Sequence, residues 1–146
     1  MRSSPENGPP SGETGSEAEA EVITVLLVDD DVSVRALVEA TLAMQGYMVL
    51  KAYDSDQAMR LSDEYPGPIH VLVADQVMPP FMSGPEVAGC LRLMRPEIKV
   101  LYISGYQATD SVQEEVDEGS ADFLPKPFDP QILLRKVARL TAPAFP

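Results

Sequence analysis

The stretch Val25-Leu26-Leu27-Val28-Asp29-Asp30-Asp31 decides how this chain is read. Four apolar residues in succession leave no polar face, so the strand they form is buried on both sides. That strand delivers three carboxylates to its own C-terminal end. Like charges this close repel, and burying them unpaired costs several kcal/mol. A hard divalent cation, Mg2+ (or Mn2+), is the simplest compensation. Helix capping is the other reading. One Asp caps the following helix, and its neighbours favour the positive end of the dipole. Capping explains one or two acids well and three poorly, so both readings stay open on this stretch alone.

Apolar runs alternate with helical patterns on either side of it. Val22–Val28 reads as the first strand. Val34, Leu37, Val38 and Thr41 repeat at helical spacing until Gly46 stops the helix. Tyr47–Tyr53 is the second strand. Asp54 with Gln57 forms a capping box for a helix over Ser55–Glu64, which Pro66-Gly67-Pro68 closes. Ile69–Ala74 is the third strand. Ser83 with Glu86 opens a helix that runs to about Met94. Val100–Ile103 is the fourth strand, followed by a helix over Ser111–Glu118 that ends at Gly119. Ala121–Leu124 is the fifth strand. Asp129-Pro130 then places a cap and an N1 proline before the last helix, Gln131–Leu140. Short apolar strands separated by single helices predict an α/β fold: a doubly wound, five-stranded parallel sheet of order 2-1-3-4-5 with helices on both faces.

The flanks differ from this core. Residues 1–21 carry five acids and one base among Ser, Gly and Pro. They hold too little apolar surface to offset ordering entropy, which predicts a disordered acidic tail. One folded domain over 22–141 and a short tail over 142–146 complete the expected organisation.

The 146 residues carry a formal net charge of −12, which argues against nucleic acid or anionic membrane as a partner. No apolar run reaches the length of a membrane span, and no apolar leader stands at the N-terminus, so no membrane insertion is expected. The one cysteine, Cys90, has no intrachain partner. Together these predict a cytoplasmic protein. The one histidine, His70, lies in the apolar run Ile69-His70-Val71. It reads as a strand-end residue, and neither a histidine-based metal site nor a phosphorylated helix histidine is expected.

In a doubly wound sheet, ligands bind beyond the carboxyl ends of the strands. After strand one stand Asp29, Asp30 and Asp31. Asp75 follows strand three, Ser104 follows strand four, and Lys126 follows strand five. Taken singly, Asp75 reads as a turn residue, Ser104 as a cap, Lys126 as a solvated surface charge and Phe123 as core. Their shared position at one edge of the sheet is what points to a pocket. Carboxylates, a lysine and a hydroxyl could there hold a metal and a phosphoryl group, with a carboxylate as nucleophile toward phosphorus.

The folded region resembles the receiver domain of bacterial two-component response regulators, a flavodoxin-like fold. The resemblance rests on the strand-one acids, Asp75 in Asp75-Gln76-Val77-Met78-Pro79, Ser83-Gly84, Ser104-Gly105 and Lys126-Pro127-Phe128. It implies Asp75 as phosphoacceptor, with Asp29, Asp30, Asp75 and the main-chain carbonyl of Val77 as Mg2+ ligands. It implies Ser104 as switch hydroxyl, Lys126 as phosphoryl partner, a cis bond from Lys126 to Pro127, and Phe123 as the switch aromatic. Gly105, Tyr106 and Pro127 would complete the pocket, and Asp31 would cap the first helix. Sensor histidine kinases or histidine phosphotransfer proteins are the implied donors, with an output protein downstream and a monomer or weak homodimer as the receiver itself. Met78-Pro79, Met82-Ser83-Gly84-Pro85-Glu86 and Ser104-Gly105-Tyr106 look most like receivers of hybrid sensor kinases. Three features depart from the usual pattern: one extra residue in Pro79-Pro80-Phe81-Met82-Ser83, the pair Val77 and Tyr106 beside the pocket, and Pro125 before Lys126.

Two other readings compete. A phosphate-independent module of the same fold would not need its like charges kept together. A haloacid-dehalogenase-like phosphatase would use Asp29 and Asp31 as its acid pair, but Ser33 is unusual there and the chain has no room for a substrate cap. By the receiver reading the protein is not a turnover enzyme and promotes only its own aspartyl phosphorylation and dephosphorylation.

Overall fold

A computed structural model describes residues 22–77 and 82–142 of the chain. The expected tail over 1–21, the loop residues 78–81 and the C-terminal residues 143–146 lie outside the described residues. The elements alternate as predicted: β1 (Thr24–Val28), α1 (Val32–Met44), β2 (Met48–Ala52), α2 (Ser55–Glu64), β3 (Val71–Asp75), α3 (Gly84–Met94), β4 (Lys99–Ser104), α4 (Asp110–Glu118), β5 (Ala121–Pro125) and α5 (Pro130–Thr141). The five strands pair in parallel in the order β2-β1-β3-β4-β5. This is the doubly wound order expected from the sequence.

Alternation along each central strand sorts the core into two layers. Leu26, Val28, Leu72, Ala74, Val100 and Tyr102 face one cluster, which Ala58 of α2, Val87 and Leu91 of α3 and Val112 of α4 complete. Val25, Leu27, Val71, Val73, Leu101 and Ile103 face the other, which Val38 and Leu42 of α1 and Leu133 and Val137 of α5 complete. A strand buried on both faces has no polar position to spare, so its first charged residue marks where it leaves the core.

Local chemistry sets the helix ends. Asp31 caps α1, accepting from Ser33 N at 2.9 Å and Val34 N at 3.2 Å. Gly46, at φ 90°, takes the left-handed turn after α1 that a side chain would oppose. Ser83 and Glu86 form the predicted reciprocal box at α3. The box expected at α2 is altered. Asp54 accepts from Gln57 N, but Gln57 Oε1 accepts from Tyr53 N one residue earlier than predicted. The fourth helix begins at Asp110, one residue before the expected Ser111, because the Thr109 hydroxyl accepts from Val112 N at 3.2 Å. The first and third strands begin two residues later than expected. His70, just before β3, accepts from Thr24 N on Nδ1 at 3.0 Å, at the end of the sheet away from the acids. Pro125 belongs to β5, an edge strand, where a residue without an N–H is tolerated.

Candidate functional site

The carboxyl ends of β1, β3, β4 and β5 bring together the residues singled out in the sequence. Asp75 is the last residue of β3, and its Oδ1 accepts from Val77 N at 3.0 Å. Its Oδ2 accepts from Lys126 Nζ at 3.0 Å, and the same ammonium lies 3.6 Å from Asp29 Oδ2. Carboxylate oxygens of Asp29, Asp30 and Asp75 all lie within 4.8 Å of one another. Asp31 does not join them. It caps α1, and its N–H donates to Asp29 Oδ1 at 2.8 Å.

Burial makes this grouping costly. Asp29 is 1% exposed. Burial pushes its carboxyl above the ordinary 3.8; the Asp31 N–H and Lys126 oppose the shift, and the charges on Asp75 and Asp30 add to it. Lys126 shows the converse balance. Burial lowers its pKa, but the hydrogen bond to Asp75 and the charges of Asp29 and Asp75 outweigh that and hold the ammonium above 10.5. One lysine among three carboxylates leaves net negative charge in a cleft lined by oxygen donors. This donor set suits a hard cation such as Mg2+ and lacks the sulfur or imidazole ligands of softer metals.

Ser104, fully buried at the end of β4, accepts on Oγ from Tyr106 N at 3.0 Å and from Gln76 Nε2 at 3.3 Å. Lys126 N donates to Ser104 O at 2.7 Å, so the hydroxyl and the lysine are tied by backbone. The Lys126–Pro127 bond is cis, as expected. Phe123 is half-buried against the core layer that contains Tyr102, its register partner on β4. Gly105 is exposed, and Tyr106 contributes its N–H while the residue is 72% exposed. Val77 is exposed beside Asp75. Of the loop 79–83, expected to be one residue longer than usual, residues 79–81 lie outside the described part of the chain.

Three features were not read from the sequence. Gln76 is buried and reaches the β4–α4 connection. Gly84 N donates to Gln76 O at 3.0 Å, docking the start of α3 on the end of β3. Arg35 Nη1 donates to Asp29 O at 2.6 Å. Gln76, a second polar residue immediately after Asp75, was a visible signal. The other two depend on close approach between segments separated along the chain.

A family model described as response regulator receiver domain matches residues 25–138. The chain is 36% identical over 105 residues to the sensor kinase CckA of Brucella abortus, covering 72% of this chain and 11% of that protein. It is 36% identical over 122 residues to the response regulator MprA of Mycobacterium ulcerans, covering 81% of this chain and 50% of that one. The chain therefore spans half or less of these relatives' length. Among solved structures it is similar to the chemotaxis protein CheY4 of Vibrio cholerae, with 30% identity, a TM-score of 0.72, and coverage of 82% of this chain and 99% of that one. Among the described residues, no helix is long and apolar enough to cross a membrane.

Proposed function

The chain belongs to the response regulator receiver domain family, and from that premise we propose that it is the phosphoacceptor switch of a two-component phosphorelay. One observation carries the reading: Asp29, Asp30 and Asp75 converge within 4.8 Å, and Lys126 is bonded to Asp75. The donor is a phosphohistidine on a sensor histidine kinase or a histidine phosphotransfer protein in the cytoplasm. An Asp75 oxygen forms a P–O bond to phosphorus while the P–N bond breaks. The electron pair of that bond returns to the imidazole, which leaves neutral because its other nitrogen carries a proton.

Each side chain has a task in that step. The Val77 N–H and Lys126 hold the two Asp75 oxygens in separate directions, which orients the nucleophile. Lys126 then neutralises a phosphoryl oxygen, and the Ser104 hydroxyl donates to another. Asp29, Asp30, Asp75 and the Val77 carbonyl would hold Mg2+. When bound, the ion supplies positive charge that offsets the phosphoryl oxygens. Displacement of Ser104 and inward rotation of Phe123 carry the change to the surface of α4, β5 and α5, where an output partner reads it. The protein promotes its own phosphorylation and dephosphorylation and turns over no external substrate. A phosphatase of the haloacid-dehalogenase type would need Asp31 beside Asp29 in the pocket, whereas Asp31 caps α1.

The test is incubation with Mg2+ and a small phosphoramidate, followed by intact mass. A phosphate-sized increment that needs Mg2+ and is lost in Asp75→Asn is expected. An increment that survives Asp75→Asn overturns the assignment. Failure to bind Mg2+ favours the phosphate-independent module.

A further inference from the structure

Gln76 directly follows Asp75, is 3% exposed, and has no task in the chemistry above. Its side chain leaves β3 and reaches the connection between β4 and α4. Nε2 donates to Ser104 Oγ at 3.3 Å and to Gln107 O at 3.1 Å, and Oε1 accepts from Thr109 N at 2.9 Å. The Thr109 N–H fixes which end of the amide is oxygen. Both ends of the Gln76 backbone are also held: its N–H donates to Ile103 O at 3.0 Å and its carbonyl accepts from Gly84 N at 3.0 Å. The residue is anchored, and its amide reaches the hydroxyl at the end of β4 and the cap of α4 together.

This placement has a physical cost that a hydrocarbon would avoid. A buried carboxamide is tolerated only when its donors and acceptor are satisfied. Here both N–H groups and the carbonyl are used, and every partner lies within residues 104–109. Displacement of that connection leaves the anchored Gln76 amide with unmade bonds in a dry site. The asymmetry between a made and an unmade buried hydrogen bond therefore resists the displacement.

We propose that Gln76 is a positioning residue that clamps Ser104 and the N-cap of α4, so that phosphorylation of Asp75 must break this clamp to move α4. The inference rests on the proposed function and adds the regulation of the same site. Gln76 lowers the population of the Ser104-displaced arrangement and thereby sets how readily the switch is thrown. A side chain of similar volume without hydrogen bonds removes that bias.

The test compares the full chain with Gln76→Met and Gln76→Leu. Phosphorylation by a small phosphoramidate below saturation, with Mg2+, is followed by intact mass. The amide resonance of Val116, farther along α4 than the bond to Gln76, is recorded before and after phosphorylation, and thermal unfolding establishes that each variant is folded. Both variants are expected to gain the phosphoryl group about fivefold faster than the wild type, on the scale of one net buried hydrogen bond. Their unphosphorylated Val116 resonance is expected to lie part-way toward the phosphorylated wild-type position, a change that loss of the Gln76 bonds alone would not produce at that distance along α4. Folded variants with wild-type or slower rates and an unmoved Val116 resonance overturn the inference. A wild type that takes no phosphoryl group overturns the functional reading itself, and so separates the two failures.

Discussion

Gly84→Ala is expected to damage the site from behind. Gly84 is the first residue of α3 and is buried. An added Cβ would lie under 3.0 Å from the Asp75 carbonyl oxygen, 3.1 Å from its carbon and 3.2 Å from Gln76 Cα. All three are backbone atoms, so no side chain can swing aside. Relief requires a shift of about 1 Å, taken either by α3 or by the end of β3. The first choice unseats Val87, Ala88 and Leu91, which are fully buried. The second strains the Gln76 N–H bond to Ile103 and moves Asp75. Overpacking of this kind costs about 1–3 kcal/mol, and the lower backbone entropy of alanine in the unfolded chain returns about 0.4–1 kcal/mol. The net expectation is a loss of about 1–2 kcal/mol in urea unfolding. A nucleophile misplaced by about 1 Å also slows its reaction by about a hundredfold. Gly89→Ala in the same helix is the control. Nothing lies within 4 Å of its added Cβ, so a gain of about 0.5–1 kcal/mol and a normal rate are expected. Equal stability and phosphorylation of Gly84→Ala and Gly89→Ala would refute the reasoning.

Further predictions concern charge and buried hydrogen bonds. Native Asp29 binds its proton more tightly than the unfolded chain does, so its contribution to stability falls as pH rises from 3.8 through the raised native value. Urea unfolding in chelator should show that fall in the wild type, and both Mg2+ and Asp29→Asn should diminish it. The Arg95 guanidinium donates to Ser62 Oγ, Ser62 O, Tyr65 O and Gly67 O, fastening the end of α2 to the end of α3. Arg95→Ala should cost about 2–4 kcal/mol by denaturant titration, and Arg95→Lys should not rescue it, because lysine lacks the planar fork. Phosphorylation of folded Arg95→Ala should persist, since Arg95 lies at the opposite end of the sheet. Tyr102 donates to Glu115 Oε1 at 2.8 Å, and Arg92 donates to the same oxygen at 2.8 Å. Tyr102→Phe should therefore cost only about 1 kcal/mol in thermal unfolding, because Arg92 still satisfies Glu115.

The sheet was legible because both-face burial leaves a coarse signal. Each central strand is an unbroken apolar run, and the next polar residue marks the carboxyl edge. Asp29, Asp75 and Ser104 were found by that rule and Lys126 by its place after the edge strand β5, and parallel pairing in one order places all four together. Element boundaries were less legible. Thr109 took the cap of α4, and Gln57 bonded to Tyr53 N, because capping depends on side-chain reach that several neighbouring polar residues can satisfy.

What the sequence by itself determined is therefore the fold class, the strand order and the identity of the acids, hydroxyl and lysine. Hydrophobic period and position at strand ends specify these without reference to distance. The resemblance implied that Asp31 would cap the first helix apart from Asp29 and Asp30, and the tertiary structure supplied the geometry of that division. Asp29 and Asp30 converge with Asp75, while Asp31 turns to cap α1. It alone revealed Gln76 as a bridge and Gly84 as a point of backbone contact. Those properties arise from approach between segments separated along the chain, to within a bond length or two, and no local pattern of residues encodes such a distance.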